Sequence, residues 1–280
     1  MASPSQAAPA FVRLAAHPLR WRLLTALADG DLRVRELTDL AAAPQNLVSY
    51  HLRLLRDGGL VTAARSSHDG RDSYYRLDLE RCAHALAGTG AALHPALRCT
   101  PAPPRLPDDS RLPDDSRLPD DSRFPGGPER RAAPAVLFVC TGNSARSPIA
   151  EALLRHHSGG RVATASAGTR PKPEMHPRAV QVLRERYGID ISGQRPRPLD
   201  ALRRRFDRVI TLCDKAREAR PDLGDHARHA HWSTPDPAAA APDGLAAFGR
   251  VAADLDTRVR HLLPLLAQNP QAAQTTEAHP

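Results

Sequence analysis

The sequence predicts a chain of two units. The first, residues 11–98, is mainly α with a β-hairpin wing; the second, residues 135–268, is a three-layer α/β unit with a four-stranded parallel sheet. Three observations predict this. Residues 18–57 hold short segments with apolar positions at helical spacing, and two strand-like runs flank Asp69-Gly70 after them. Residues 135–268 alternate apolar runs with helix-favouring stretches, the pattern of a parallel sheet covered on both faces. Between the two, Arg105-Leu-Pro-Asp-Asp-Ser110 recurs at 111–116 and 117–122. Six residues cannot bury a core, and a proline in every repeat prevents a helix. Residues 99–134 are therefore expected to be an extended, charge-balanced tether, and residues 1–10 and 269–280 disordered ends.

At 280 residues the chain is long enough for two ordinary domains. Its formal charge of +8 is carried by arginine, since Lys172 and Lys215 are the only lysines; this permits nucleic-acid or oxyanion partners without proving either. Four cysteines, Cys82, Cys99, Cys140 and Cys213, are too few and too scattered for a disulfide framework, which fits a reducing compartment. Arg13 and His17 interrupt the start of the chain, and no run approaches the roughly 20 apolar residues of a membrane span. A soluble cytoplasmic protein without membrane contact is expected.

In the first unit, Pro18-Leu-Arg-Trp-Arg-Leu23-Leu24-Thr-Ala-Leu27 predicts a helix that stops at Asp29-Gly30, and Val34-Arg-Glu-Leu37-Thr-Asp-Leu40 a second. After Ala43-Pro44, residues 45–57 predict a third, ended by Gly58-Gly59. Two short helices, a tight break and a helix that begins with small or polar residues make a helix-turn-helix. Residues 60–65 and 73–77 are the strands of the wing, and a last helix spans about 79–96.

The string Ser49-Tyr-His51-Leu52-Arg-Leu-Leu55-Arg-Asp-Gly-Gly59-Leu60-Val61 resembles the recognition helix of ArsR-type winged-helix repressors. The resemblance implies double-stranded operator DNA as partner. Gln45, Asn46, Ser49, Tyr50 and His51 would face the major groove, and Arg53, Arg56, Arg65 and Arg71 would meet phosphates. It also implies a homodimer through the last helix. A winged helix used only for dimerisation or protein contact is the alternative, because the unit is only slightly basic. Arsenite-sensing members often carry a Cys-Val-Cys pair where this chain has Arg33-Val34-Arg35, and two arginines cannot bind a soft trivalent arsenic centre. Cys82, His84, His94 and Cys99 remain as weak candidates for a metal or metalloid site, against the plainer reading of solvated helix histidines.

The second unit is organised around Val136-Leu-Phe-Val-Cys140-Thr-Gly-Asn-Ser-Ala-Arg146-Ser147-Pro148. A thiol at a strand end, a five-residue loop and an arginine at a helix start build an oxyanion cradle. Backbone N–H groups of residues 141–146 and the positive end of the helix converge where a tetrahedral anion can sit. The same field, with Arg146, favours thiolate and makes Cys140 a nucleophile. Gly142 permits the tight turn, and Pro148 suits the first helical turn. Further strands at 162–166, 208–213 and 230–232, with helices at 148–156, 177–187 and 244–266, place the loop at the carboxyl ends of the sheet.

This loop closely resembles that of the low-molecular-weight phosphotyrosine phosphatase family, particularly its arsenate reductase branch. Two more segments carry the branch. His231-Trp-Ser-Thr-Pro-Asp236-Pro-Ala238 is similar to the reductases' His-Trp-x-x-x-Asp-Pro-Ala loop. Val209-Ile-Thr-Leu-Cys213-Asp-Lys-Ala-Arg-Glu-Ala-Arg220-Pro221 is similar to the segment in which two cysteines relay oxidation away from the site. The resemblance implies that Thr141, Gly142, Asn143, Ser144, Ala145, Arg146 and Ser147 hold the oxyanion, Cys140 attacks arsenic and Asp236 protonates the departing oxygen. Ser144 and Ser147 would also hold the loop.

Cys213 is retained, but the second relay position is Arg220, so a three-thiol shuttle finished by thioredoxin cannot run unchanged. Either Cys213 attacks the Cys140 adduct, or an external low-molecular-weight thiol does, with a glutaredoxin-like partner completing the cycle; the external thiol is slightly favoured. Cys213 as a plain buried strand-end thiol is the third option. No bound cofactor is expected. The whole chain then reads as a transcriptional regulator fused to a thiol-dependent arsenate reductase with phosphatase side activity, its domains independent on their tether. The alternatives are a phosphatase of phosphotyrosine or small phosphoesters, and a regulator that senses oxyanion without turnover.

Overall fold

The computed structural model describes residues 8–68, 70–97, 134–202, 205–219, 227–239 and 244–267. The repeats of the tether, both chain ends, Cys99 and Arg220 lie outside the described residues.

The first unit runs α1 (Ala10–Ala15), α2 (Pro18–Ala26), β1 (Leu32–Arg33), α3 (Val34–Ala41), α4 (Gln45–Asp57), β2 (Val61–Arg65), β3 (Ser73–Leu77) and α5 (Leu79–Leu93). Caps set the boundaries. His17 Nδ1 accepts from Leu19 N ahead of Pro18 at the start of α2, Glu36 reaches back to Arg33 N at the start of α3, and Asp78 accepts from Arg81 N at the start of α5. Helix α3 ends on Ala42, whose φ of 45° is left-handed, and Pro44 then blocks continuation, which makes the turn between α3 and α4. Val48, Leu52 and Leu55 on one stripe of α4 meet Leu23 and Leu37, all fully buried. The strand order is β1-β3-β2, antiparallel. Sequence reasoning missed α1 and β1, both too short for periodicity to register.

The second unit runs β4 (Ala135–Cys140), α6 (Arg146–His157), β5 (Ala163–Gly168), α7 (Pro177–Tyr187), β6 (Arg208–Thr211), α8 (Asp214–Glu218), β7 (Arg228–His231) and α9 (Gly244–Ala267). Its four strands are parallel in the order β5-β4-β6-β7. All six residues of β4 are buried, which is why that strand reads as an unbroken apolar run. Helix α9 packs on α6 and α7 through Phe248, Val251, Leu255 and Val259. The register Val139↔Thr211 brings the ends of β4 and β6 side by side, so Cys140 and Cys213 leave the sheet at the same edge.

The two units dock, contrary to the expectation of independent domains on a tether. Arg258 of α9 forks both carboxylate oxygens of Asp31 at 3.0 and 3.2 Å, and Asp31 N donates to His231 O at 2.7 Å. Tyr74 of β3 is buried 4.7 Å from the His231 ring, flanked by the guanidinium groups of Arg33 and Arg217. Arg217 Nη2 donates to Glu36 Oε1 at 2.7 Å, and Ser67 of the wing donates from N and Oγ to Asp214 Oδ2 at 2.6 and 2.8 Å. Gly30 is needed here, because a Cβ on it would lie 2.9 Å from His231 O. Contacts of this kind join residues far apart in sequence and leave no periodic trace.

Candidate active site

Cys140 ends β4, and its sulfur sits under the loop that leads to α6. Ser147 Oγ shares a hydrogen bond with Cys140 Sγ at 2.9 Å, and Asn143 N donates to it at 3.2 Å. Both contacts fix the sulfur at the base of the loop. Asn143 adopts φ 45°, and its amide holds that geometry: Nδ2 donates to Ser147 Oγ at 2.9 Å and to Ser166 Oγ at 2.8 Å, while Oδ1 accepts from Arg197 N at 2.7 Å. Ser166 in turn donates to the buried carboxylate of Glu151 at 2.6 Å, and Arg155 and Arg197 pair with that carboxylate. The segment after β5 laces the loop down, since Thr169, Arg170 and Lys172 N donate to the carbonyls of Cys140, Thr141 and Gly142, and His176 N donates to that of Ser144. A Cβ at Gly168 would meet Thr141 O at 2.8 Å, so only glycine lets β5 and the loop approach this closely.

The expected residues converge. Arg146 opens α6, is buried, and donates from Nη1 to Thr234 O at 3.1 Å, while its Nη2 lies 3.5 Å from Asp236 Oδ2. Asp236 is half-exposed, while Thr141, Gly142, Asn143, Ser144, Ala145 and Ser147, the residues expected to hold the oxyanion, are buried or half-buried in the loop from β4 to α6. Cys213 Sγ is 3.2 Å from Thr141 Oγ1. The loop between β4 and α6 thus has the Cys140 sulfur held by Ser147 and Asn143, and the Arg146 guanidinium reaching the segment that carries Asp236.

Residues 135–272 match the family model for low molecular weight phosphotyrosine protein phosphatase, and residues 17–63 match that for bacterial regulatory protein, arsR family. Over 129 residues the chain is 36% identical to the arsenate reductase of Bacillus licheniformis, a match that covers 45% of this chain and 91% of that protein. It is 34% identical to the arsenate reductase of Bacillus subtilis with the same coverage. The chain belongs to the low molecular weight phosphotyrosine protein phosphatase family. A solved structure described as an arsenate reductase in the phosphate binding state aligns at 31% identity and TM-score 0.42, covering 48% of this chain and 98% of that one.

This phosphatase-family site rests on groups that sequence reasoning missed, namely Glu151, Ser166, Arg197 and the Asp214–His231 pair. Asp214, first residue of α8, is buried. Burial pushes its carboxyl up, but hydrogen bonds from His231, Ser67 and Ser233 win and hold it well below the usual carboxylate range. Burial pushes His231 down, against the pull of Asp214; its Nε2 lies 3.0 Å from Asp214 Oδ1, and its Nδ1 lies 2.8 Å from Thr211 Oγ1 and 3.0 Å from Thr211 O. The Ser-Ala-Gly triplet at the end of β5 was the available signal for Ser166.

In the arsR-family unit, Gln45, Asn46, Ser49, Tyr50, Arg53 and Arg56 are exposed on α4, and Arg65 and Arg71 are exposed in the wing. His51 corrects the expectation: it is buried, stacked 4.3 Å from His17, and its Nδ1 has no hydrogen-bond partner. Position 51 falls on the stripe of Val48, Leu52 and Leu55, so it faces the core and not a groove. Among the described metal candidates, Cys82, His84 and His94 do not come together either. Cys82 Sγ points at Leu60 O with its thiol pushed up to about 11 by burial, His84 Nδ1 meets Glu80 O, and His94 Nδ1 accepts from Ala96 N. Among the described residues no group of His, Cys, Asp and Glu is placed to hold a metal, and no helix is long and apolar enough to cross a membrane.

Proposed function

We propose that the chain is a DNA-binding transcriptional regulator fused to a thiol-dependent arsenate reductase. The observation that carries the catalytic half is the contact of Asp236 with Arg146, at the end of the loop that holds the Cys140 sulfur, in a family whose matched relatives are named arsenate reductase. Arsenate sits on the backbone donors of 141–147 with Arg146 against its charge. Cys140 sulfur attacks arsenic, and Asp236 gives its proton to the departing oxygen, which leaves as water.

Cys213 sulfur then attacks Cys140 sulfur. A sulfur–sulfur bond forms, the arsenic–sulfur bond breaks, and its electron pair stays on arsenic, which departs as arsenite. Two thiols lose two electrons and arsenic(V) becomes arsenic(III). This route requires Cys213, whose sulfur meets Thr141 Oγ1 at 3.2 Å, to turn toward Cys140; first attack on the adduct by an external thiol is the alternative. An external low-molecular-weight thiol with a glutaredoxin-like partner, or thioredoxin, would then reduce the disulfide.

A second reading, hydrolysis of phosphotyrosine or small phosphoesters, is favoured by the fact that cradle, nucleophile and acid are complete without any second thiol. Purified protein given arsenate or p-nitrophenyl phosphate, with and without glutathione, separates the two. Thiol-dependent arsenite release supports the reductase; phosphate release that ignores thiol, with no arsenite, supports the phosphatase.

For the regulatory half, the exposed polar face of α4 would read operator DNA and the wing arginines would meet phosphates, in a homodimer formed through α5. Fluorescence anisotropy with DNA from upstream of the gene tests it. Tyr50→Ala should weaken specific binding, and Arg53→Ala should reduce the salt slope by about 1.

A further inference from the structure

We propose that Asp31, a residue of the arsR-family unit, is a positioning residue for the acid of the enzyme unit; this rests on Asp236 being that acid. Asp236 has little hold of its own. It is half-exposed, and among the described residues, apart from its contact with Arg146, its hydrogen bonds stay inside its own turn, to Ala238 N and Ala239 N. Its place is therefore inherited from the segment before it, residues 231–234, with Pro235 between them stiffening the link.

That segment is held from two sides. From within the enzyme unit, Trp232 N donates to Thr211 O at 2.8 Å, Thr234 N to Leu212 O at 3.3 Å, and Ser233 Oγ to Asp214 Oδ1 at 2.8 Å. From the arsR-family unit, Asp31 Oδ2 accepts from Ser233 N at 2.8 Å, while Asp31 N donates to His231 O at 2.7 Å. Asp31 thus holds the segment at two points, His231 and Ser233. Its carboxylate is fixed in turn by the fork from Arg258, which is itself buried over the Trp232 ring. The residue after Ser233 supplies the carbonyl that receives Arg146 Nη1. A shift of Ser233 therefore moves Thr234 O and the carboxylate of Asp236 relative to the guanidinium.

A buried carboxylate–guanidinium pair is weak evidence of stabilisation in itself, because desolvating both ions offsets most of their attraction. Its geometric role is what this arrangement adds: the enzyme's acid is set by the docked regulatory unit, so undocking that unit slows turnover while leaving the oxyanion cradle intact.

A double-mutant cycle in the full-length chain tests this. Asp31→Ala, Asp236→Asn and the double variant are compared for kcat and KM on phenyl phosphate, whose poor leaving group needs a proton, and on arsenate with thiol. Asp236→Asn is expected to lower kcat by about 100-fold and Asp31→Ala by about tenfold, with KM little changed. The double variant is expected to be no slower than Asp236→Asn alone, because Asp31 acts through Asp236.

A double variant that loses the product of the two factors, or an Asp31→Ala variant as fast as the native chain, overturns the inference and leaves Asp236 as the acid. An Asp236→Asn variant with undiminished kcat removes the acid itself, and native chain that turns over neither substrate removes the proposed function; either also ends the claim for Asp31. Should Asp31→Ala fail to fold, Gly30→Ala replaces it. Every charge stays in place while the new Cβ presses on His231 O, and the same non-additivity with Asp236→Asn is expected; additive losses overturn the proposal.

Discussion

Asn143 carries the tension of the site at the scale of one residue. Its left-handed backbone is tolerated because three side-chain hydrogen bonds hold it, and these run through Ser166 to Glu151, deep under the loop. Asn143→Ala should therefore lower kcat by about tenfold or more without removing the nucleophile, measured as turnover with Cys140 still titratable by a thiol reagent. Glu151→Ala should act more bluntly, leaving Ser166 and two arginines without their carboxylate, and should lower thermal stability together with activity. An Asn143→Ala enzyme as fast as the native one would contradict the role given to the loop.

Three histidines give the molecule a residue-scale pH response. Burial is the largest influence at each and pushes His51, His176 and His231 below the ordinary value; His17 and Arg20 add to this at His51, and Lys172 and Arg178 at His176. An unfolded histidine protonates near pH 6.5, before the folded one does, so the unfolded state binds more protons as pH falls and stability is lost below about that value. Asp214 acts in the same direction lower down: its depressed carboxyl contributes stability that is present above about pH 4 and lost as pH falls further. Melting temperature should accordingly be lower at about pH 5.5 than at about pH 7.5. A flat or inverted profile would contradict the placement of these rings.

Among the elements, α4 and the loop from β4 to α6 were the most legible in the sequence, each for a local reason. The stripe Val48, Leu52, Leu55 announces a helix with one buried face, and Leu52→Ala should cost about 2–5 kcal/mol in chemical denaturation. The same stripe shows why His51 was misread. A match to a recognition-helix pattern put it toward DNA, whereas helical phase puts it beside Leu52 in the core. The strand end at Cys140, its glycine turn and Arg146 lie within seven positions, so their convergence needed no long-range information. Helix α8 escaped notice because it is a single short turn, yet its first residue, Asp214, ties the strand end at Cys213 to the acid loop and the wing.

What stayed illegible belongs to the whole molecule. Asp31 and Arg258 are 227 positions apart, and neither carries a motif, so only the folded chain brings them together. Their pairing turns a tethered fusion into a docked one, in which the arsR-family unit supports the loop that carries Asp236. Arg258→Ala should leave Asp31 buried and unpaired, at a cost of about 3–5 kcal/mol, seen as loss of cooperative unfolding between the two units. Independent transitions already present in the native chain would contradict the docking.

The central claim is that the thiol of Cys140, aided by that of Cys213, reduces a bound oxyanion. It is tested most directly by mixing fully reduced full-length chain with arsenate and no added thiol, then measuring arsenite and mapping disulfides by mass spectrometry. The account predicts one arsenite per chain and a Cys140 to Cys213 disulfide, both abolished by Cys140→Ser. Unchanged arsenate with both thiols still free would contradict it.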